Sequence, residues 1–233
     1  MKCAVLVDLD FFIRRYLKLS NISFTTPEEK AQKLAKELWH HSQKHLNYKN
    51  DKYELFRIYV YDCPPLSKKL HHPLTNKLID FSRTDIAIFR NKLHEEIKKM
   101  PKTALRLGKL DEDNVKWIIA SEKKYKKFLK GKITINDLTE NDFKIDVNQK
   151  QVDMKIGIDI TWLSLKKLVD VIVLISGDSD FVPASKLARR EGITFILDPL
   201  YHNLKPDLSE HIDLLRTPKI PKYNNEVENE NGK

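Results

Sequence analysis

A chain of 233 residues with 41% hydrophobic residues is long enough to bury one sizeable core and too apolar to be wholly disordered. A mean hydropathy of −0.50, with no apolar run near the ~20 residues of a membrane-spanning helix, excludes an integral membrane protein of the helical kind. The net charge of +9 points to a polyanionic partner, because summed positive potential attracts phosphate backbones whatever their sequence.

Cys3 and Cys63 are too few for a disulfide framework and lack metal-ligand spacing, so both are expected as buried thiols. The first residues enter a strand pattern with no signal-peptide layout, and a cytoplasmic protein without a membrane partner is expected.

In chain order, the near-continuous apolar run Lys2 to Val7 predicts a central strand, ending at Asp8-Leu9-Asp10. Thr26-Pro27-Glu28-Glu29 is a capping box with proline at the first helical position, and it opens a helix to about Leu46 with Ala31, Leu34, Ala35 and Leu38 on its inner face. A strand follows over Tyr53 to Tyr61. The loop after it, Asp62-Cys63-Pro64-Pro65, leads to His71 and His72, which lack the acid or cysteine neighbours of a zinc site. Leu78, Phe81, Ile86, Phe89, Leu93 and Ile97 predict one helix over Asn76 to Met100, and Thr103 to Leu110 a short strand or hairpin arm.

The stretch from about 111 to 148 is irregular and basic. Within it Lys123, Lys124, Lys126, Lys127, Lys130 and Lys132 surround Tyr125 and Phe128. Lysines interleaved with aromatics suit a single-stranded nucleic acid, its bases stacking while ammonium groups track phosphates. The spacing of Tyr125, Phe128 and Leu129 also suits a helix whose apolar edge rests on the core, and the two readings are compatible.

A helix over Val152 to Lys167 buries Ile156, Ile160 and Leu163 and carries Asp153 in its first turn. Asp159, six residues on, lies about 240° around the helix. It cannot share a small face with Asp153 and is expected to brace a neighbouring loop, a supporting role at the site staying open.

The apolar strand Val169 to Ile175 then delivers Ser176-Gly177-Asp178-Ser179-Asp180-Phe181 to a sheet edge. A lone Asp there would be a helix cap; two carboxylates with no basic neighbour in their own loop suit a hard cation. A helix over Val182 to Arg190, a stop at Gly192 and a strand over Ile193 to Leu197 complete a βαβ unit. A last helix is expected around Asp207 to Leu215, and residues 217–233 read as a flexible tail after a single domain spanning 1–216.

Asp8 at one strand end, Asp153 at a helix start, and Asp178 with Asp180 at another strand end predict one acidic pocket, with Asp10, Asp159, Ser176 and Ser179 as candidates for its supporting shell. Carboxylates gathered in this way hold Mg²⁺ or Mn²⁺ for phosphodiester hydrolysis.

These residues carry a resemblance. Asp8 after the first strand, Asn148 to Ile160, and Val171 to Ile193 resemble the NYN domain family, and the Asp62-Cys63-Pro64-Pro65 loop and Leu105-Arg106-Leu107-Gly108 resemble its bacterial branch. The resemblance implies an α/β, PIN-like (Rossmannoid) fold with a mostly parallel central sheet flanked by helices. It implies a divalent-metal ribonuclease whose acidic residues fall on Asp8, Asp153, Asp178 and Asp180. Two departures stand out. Phe11 occupies a position where the family often has Asn, and Lys150-Gln151 replaces a Lys-Gly pair before the middle Asp, which predicts a less tightly turned helix start.

Two rivals remain at this stage. Asp8-Leu9-Asp10 and Gly177-Asp178-Ser179 partly match a haloacid-dehalogenase-like phosphatase, but Val182 stands where its second acid belongs and Phe12 where Thr or Val belongs. A non-catalytic basic nucleic-acid-binding or partner module would keep the same acids structurally. RNA, single-stranded or structured, is the expected partner; a homo-oligomer or protein partner stays open.

Overall fold

The computed structural model describes residues 1–203 and 210–221. The chain runs β1 (Lys2–Asp8), α1 (Leu9–Leu19), α2 (Pro27–Leu46), β2 (Glu54–Asp62), β3 (Lys69–His71), β4 (Leu78–Asp80), α3 (Asp85–Lys98), β5 (Thr103–Leu107) and β6 (Lys109–Leu110). It continues through β7 (Lys116–Ile119), α4 (Glu122–Leu129), β8 (Phe143–Asp146), β9 (Gln149–Lys150), α5 (Val152–Leu165), β10 (Val171–Ile175), α6 (Val182–Arg190), β11 (Thr194–Asp198) and β12 (Leu214–Leu215).

Among the described residues the central sheet has six strands in the order β12-β11-β10-β1-β2-β5, all parallel. The apolar run of β1 is buried from Cys3 to Val7 because both its faces are covered. Alternation along the strand splits the core in two. Cys3, Val5 and Val7 pack with Phe12, Tyr16, Leu38 and Leu93 from α1, α2 and α3, whereas Ala4 and Leu6 pack with Ile156, Ile160 and Phe181 on the α5 and α6 side.

Chain order places the site. From β1 the chain builds outward to β2 and β5, then returns to add β10, β11 and β12 on the other side. The switch therefore falls between β1 and β10, where Val7 lies opposite Ile175, and the crevice beyond the carboxyl ends at such a point is where open α/β sheets bind ligands.

Several sequence expectations are corrected. The helix predicted over Asn76 to Met100 starts only at Asp85, because Asp80 accepts from Ser82 N at 3.1 Å and Thr84 caps the helix through Ala87 N at 3.3 Å. Leu78 and Ile86, counted in its apolar period, are exposed, and Leu78 belongs to the β3–β4 hairpin. Leu214 and Leu215 form a strand beside Ile196 and Leu197 instead of a helix; Asp207, where that helix was to begin, lies outside the described residues. Thr217 and Ile220, expected in the flexible tail, pack onto the fold: Ile220 is buried and Thr217 Oγ1 donates to Asp198 at 2.6 Å. Residues 222–233 of the expected tail lie outside the described residues.

Candidate active site at the carboxyl edge of the sheet

Parallel strands put all their carboxyl ends on one edge, and four of these ends carry aspartates: Asp8 on β1, Asp62 on β2, the Asp178 loop after β10 and Asp198 on β11. Asp8 ends β1 and also caps α1, accepting from Phe11 N at 3.1 Å, while Ser176 Oγ donates to its other oxygen at 3.4 Å. The same Ser176 Oγ accepts from Asp178 N at 3.3 Å. One hydroxyl thus stitches the end of β1 to the loop after β10. Asp178 in turn caps the short turn that follows, accepting from Asp180 N at 3.0 Å. The loop approaches α1 so closely that a Cβ at Gly177 would lie 2.7 Å from the Phe11 ring. Phe11, where the family often has Asn, therefore packs against this glycine and is buried.

Asp153 enters from the opposite face, in the first turn of α5. Its approach depends on Gly108, whose absent Cβ would sit 2.6 Å from Lys150 O and 3.0 Å from Cys63 Sγ. Lys150 and Gln151 do not loosen the helix start. Gln151 adopts φ +73°, the left-handed conformation glycine favours, so the turn is kept at the expense of backbone strain.

The carboxylates feel one another. Burial pushes Asp8 up to about 6 against the Phe11 N–H, and the charges of Asp10 and Asp153 add to the rise. Asp153 is also raised, first by partial loss of hydration and then by the charges of Asp178 and Asp180. Mutual repulsion of this kind marks a site short of positive charge. The four acids are thus linked electrostatically, Asp8 to Asp153 and Asp153 to Asp178 and Asp180. Among the described residues the one group of three or more such side chains with ligand atoms all within 4.8 Å is His41, His45 and Asp198, so the four acids stand further apart than that. An all-oxygen donor set in a partly solvated crevice fits a hard divalent cation.

Of the supporting residues, Ser176 is in place as described. Asp10 is held by cations: Arg14 Nε lies 3.0 Å from it, and Arg90 Nη2 donates to it in a very short contact. Asp159 is turned away from the acids, accepting from Tyr61 OH at 2.8 Å and pairing with Arg106 at 3.3 Å, so it braces strands β2 and β5 and not a loop. Ser179 lies in the turn between Asp178 and Asp180.

The Lys-rich segment forms α4, carried on the β7–β8 hairpin. Its aromatic edge does not anchor it: Tyr125, Phe128 and Leu129 are all exposed, Leu129 to 65%. Lys124 pairs with Asp142 at 2.6 Å and Lys126 with Glu122 at 2.5 Å. Lys123, Lys127, Lys130 and Lys132 are exposed.

Sequence reasoning missed two clusters. Asp62, fully buried at the end of β2, accepts both Arg90 Nη1 contacts, at 2.6 and 2.8 Å, and meets His94 Nε2 at 2.7 Å. The partners come from α3, far along the chain, and only the i, i+4 spacing of Arg90 and His94 hinted at them. Asp198 meets His41 Nε2 at 2.6 Å and His45 Nε2 at 2.9 Å, and its other oxygen accepts from Leu200 N and Thr217 Oγ1. Burial alone would raise Asp198, but the charge and hydrogen bonds of His41 and His45 hold it well below the usual carboxylate range. Two imidazoles and a carboxylate are a donor set that can hold a metal ion. Here they close a hydrogen-bonded network that fastens α2 and the chain after β12 to the end of β11. His72, by contrast, packs edge-on to Trp117 and Phe143.

The NYN domain profile matches residues 67–208, more than half of the chain. The chain belongs to the NYN domain family. The match includes Asp153, Asp178 and Asp180 and begins after Asp8. NYN domains share the PIN-like arrangement of a mostly parallel sheet between helices, and the family is one of nucleases that typically depend on a divalent metal. Among solved structures the NYN chain is similar to a protein of unknown function from Vibrio parahaemolyticus, at 14% identity and a TM-score of 0.43, covering 92% of this chain and 90% of that one. No curated protein matches it. Among the described residues no helix is long and apolar enough to cross a membrane.

Proposed function

We propose that this NYN domain is a divalent-metal-dependent ribonuclease that hydrolyses RNA phosphodiester bonds at Asp8, Asp153, Asp178 and Asp180, with Mg²⁺ or Mn²⁺ as its cofactor. The reading is supported by the place of these acids on β1, α5 and the loop after β10, beside the switch point of the sheet, and by their coupling: burial raises Asp8 and Asp153, and the charge of Asp153 adds to the rise of Asp8 as those of Asp178 and Asp180 add to that of Asp153.

Asp8 at the end of β1, Asp178 in the loop after β10 and Asp153 in the first turn of α5 would hold the cation, with the exposed Asp180 as a further carboxylate for it. A divalent ion bound there would neutralise the scissile phosphate and acidify a water molecule. Ser176 fixes the Asp8 carboxylate relative to Asp178, so the acids keep their spacing when the phosphate arrives. Arg14 and Arg90 occupy Asp10, which leaves it a bracing role and not that of the acid–base residue a dehalogenase-like phosphatase would need. The exposed lysines of α4 supply phosphate contacts away from the chemistry, as the net charge of +9 anticipates.

The test is cleavage of single-stranded RNA with Mn²⁺, with and without EDTA, by the parent and by Asp178→Asn. Asn keeps the size and one acceptor oxygen but loses the charge that holds a hard cation, so the rate is expected to fall by several orders of magnitude while RNA binding in EDTA stays nearly unchanged. Equal cleavage by both proteins assigns the activity elsewhere. Binding without cleavage under any divalent ion favours the non-catalytic binding module.

A further inference from the structure

A cavity of about 360 Å³ opens beside the acidic crevice, lined among others by Pro64, Leu66, Phe81, Ile86, Arg90 and Lys144. Cys63 and Arg90 connect the two. Cys63 lines the cavity and its thiol is pushed up to about 11, by burial first, with Asp62 and Asp153 adding to the rise. Arg90 lines the cavity while its guanidinium binds Asp62 and Asp10. Cys63 and Arg90 thus join the cavity to the acidic edge of the sheet.

We infer that this cavity receives one nucleobase of the RNA strand whose phosphate lies among the acids, an assignment that rests on the ribonuclease reading. Three observations support that occupant over an aliphatic or peptide one. The volume lies at the small end of the ~300–1,000 Å³ range of ligand pockets, the scale of a single nucleoside. The walls are apolar and include the Phe81 ring, and a base unstacked from a single strand gains from such a wall, since aromatic stacking is worth ~1–3 kcal/mol per base. The charged side chains at its border, Arg90 and Lys144, are cations, and the exposed Gln149 adds an amide able both to donate and to accept. That set complements a base with a phosphate on either side of it, and the Arg90 guanidinium, fixed by two oxygens of Asp62, offers a planar cation at the junction.

The cavity also explains the loop that builds it. Asp62-Cys63-Pro64-Pro65 directly follows β2, and the two prolines restrict its backbone, so the wall is rigid before a base arrives. Ile86, 72% exposed at the start of α3, completes the opposite side.

The experiment uses the full chain without divalent ions, labelled at the methyl groups of Leu66, Ile86, Leu110 and Ile145, and titrated with uridine 5′-monophosphate, adenosine 5′-monophosphate and ribose 5-phosphate. The two nucleotides are expected to shift these methyls and ribose 5-phosphate to leave them in place. Ile86→Ala and, separately, Phe81→Leu should weaken the nucleotides by about fivefold or more; the exposure of Ile86 makes its variant the safer one for folding. Nucleotides that leave the methyls unmoved, or ribose 5-phosphate that moves them equally, overturn the assignment. In a second arm, single abasic positions are walked along a cleaved RNA. A rise in KM at one fixed distance from the scissile bond supports the assignment, and cleavage indifferent to every abasic position overturns it while the nuclease reading stands. If no RNA is cleaved but nucleotides still shift the methyls, the base site stands and the nuclease reading falls.

Discussion

Arg90 grips Asp62 from α3 with one guanidinium nitrogen against both carboxylate oxygens, at 2.6 and 2.8 Å, at a point where the Asp62 side chain has no solvent exposure. Asp62 would otherwise be a buried charge on the strand beside Asp8, with His94 its remaining partner. Removing the guanidinium leaves that charge with the His94 imidazole alone. Arg90→Gln is therefore expected to destabilise the fold by about 3–5 kcal/mol, and Asp62→Asn added to it should restore a large part of the loss. Urea unfolding of the two single variants and the double variant gives the coupling; simple additivity would mean that the pair is not a unit.

Asp8 contributes a pH-dependent part of the stability of the metal-free protein. Its folded-state value, about 6, is raised above the ordinary carboxylate range, so the folded chain favours the protonated acid. The stability it contributes is fully present below the unfolded value near 4 and is lost as pH rises through about 6. Asp8→Asn keeps the cap on Phe11 N and removes the charge. In EDTA the variant should exceed the parent by up to about 3 kcal/mol near pH 8 and match it near pH 4. A gap independent of pH, measured by urea unfolding at both ends, contradicts this account.

The lysines of α4 and of the turn after it differ in their pairing, Lys126 being held by Glu122 within the helix. Lys123, Lys127, Lys130 and Lys132 are exposed, whereas Lys124 is paired with Asp142, itself the cap of a turn through Thr139 N at 2.9 Å. Changing the four exposed lysines to Ala should weaken RNA binding alike for all sequences and lower the salt slope by about 0.7 per lost phosphate contact. Lys124→Ala should mainly loosen the insertion, seen as faster amide exchange around Asp142. Loss of affinity for one RNA sequence alone would mean that the segment reads bases.

Gln151 carries strain at the start of α5. A side chain in the left-handed region costs roughly 1–2 kcal/mol relative to glycine, offset in part by the greater freedom glycine gives the unfolded chain. Gln151→Gly is expected to raise stability by about 0.5–1 kcal/mol and to leave Asp153 in place, so cleavage should be unchanged. A lower melting temperature would show that the Gln151 side chain contributes more than its backbone costs.

Apolar patterning and turn chemistry in the sequence were enough to place β1, α2, α5 and the βαβ unit through Gly192, because these elements are dictated locally: a run of buried residues, a Thr26 cap with Pro27, a glycine at φ +80°. The positions of Asp8, Asp153, Asp178 and Asp180 in the fold were legible for the same reason, each lying at the end of an element whose type was clear. Residues distant in sequence settled the rest. Leu78 and Ile86 fit a helical period, yet the Asp80 and Thr84 side-chain caps split that stretch into a hairpin and a later helix. Leu214 and Leu215 became a strand because β11 offered them an unpaired edge, which no local pattern announces. Asp159 was expected to brace a loop, and its partners proved to be Tyr61 and Arg106 on two strands of the sheet. The clamp of Arg90 on Asp62 and Asp10, and the cavity beside it, exist because α3 packs over the end of β2. Charge compensation and cavity shape depend on which elements meet in space, and only the tertiary structure decides that.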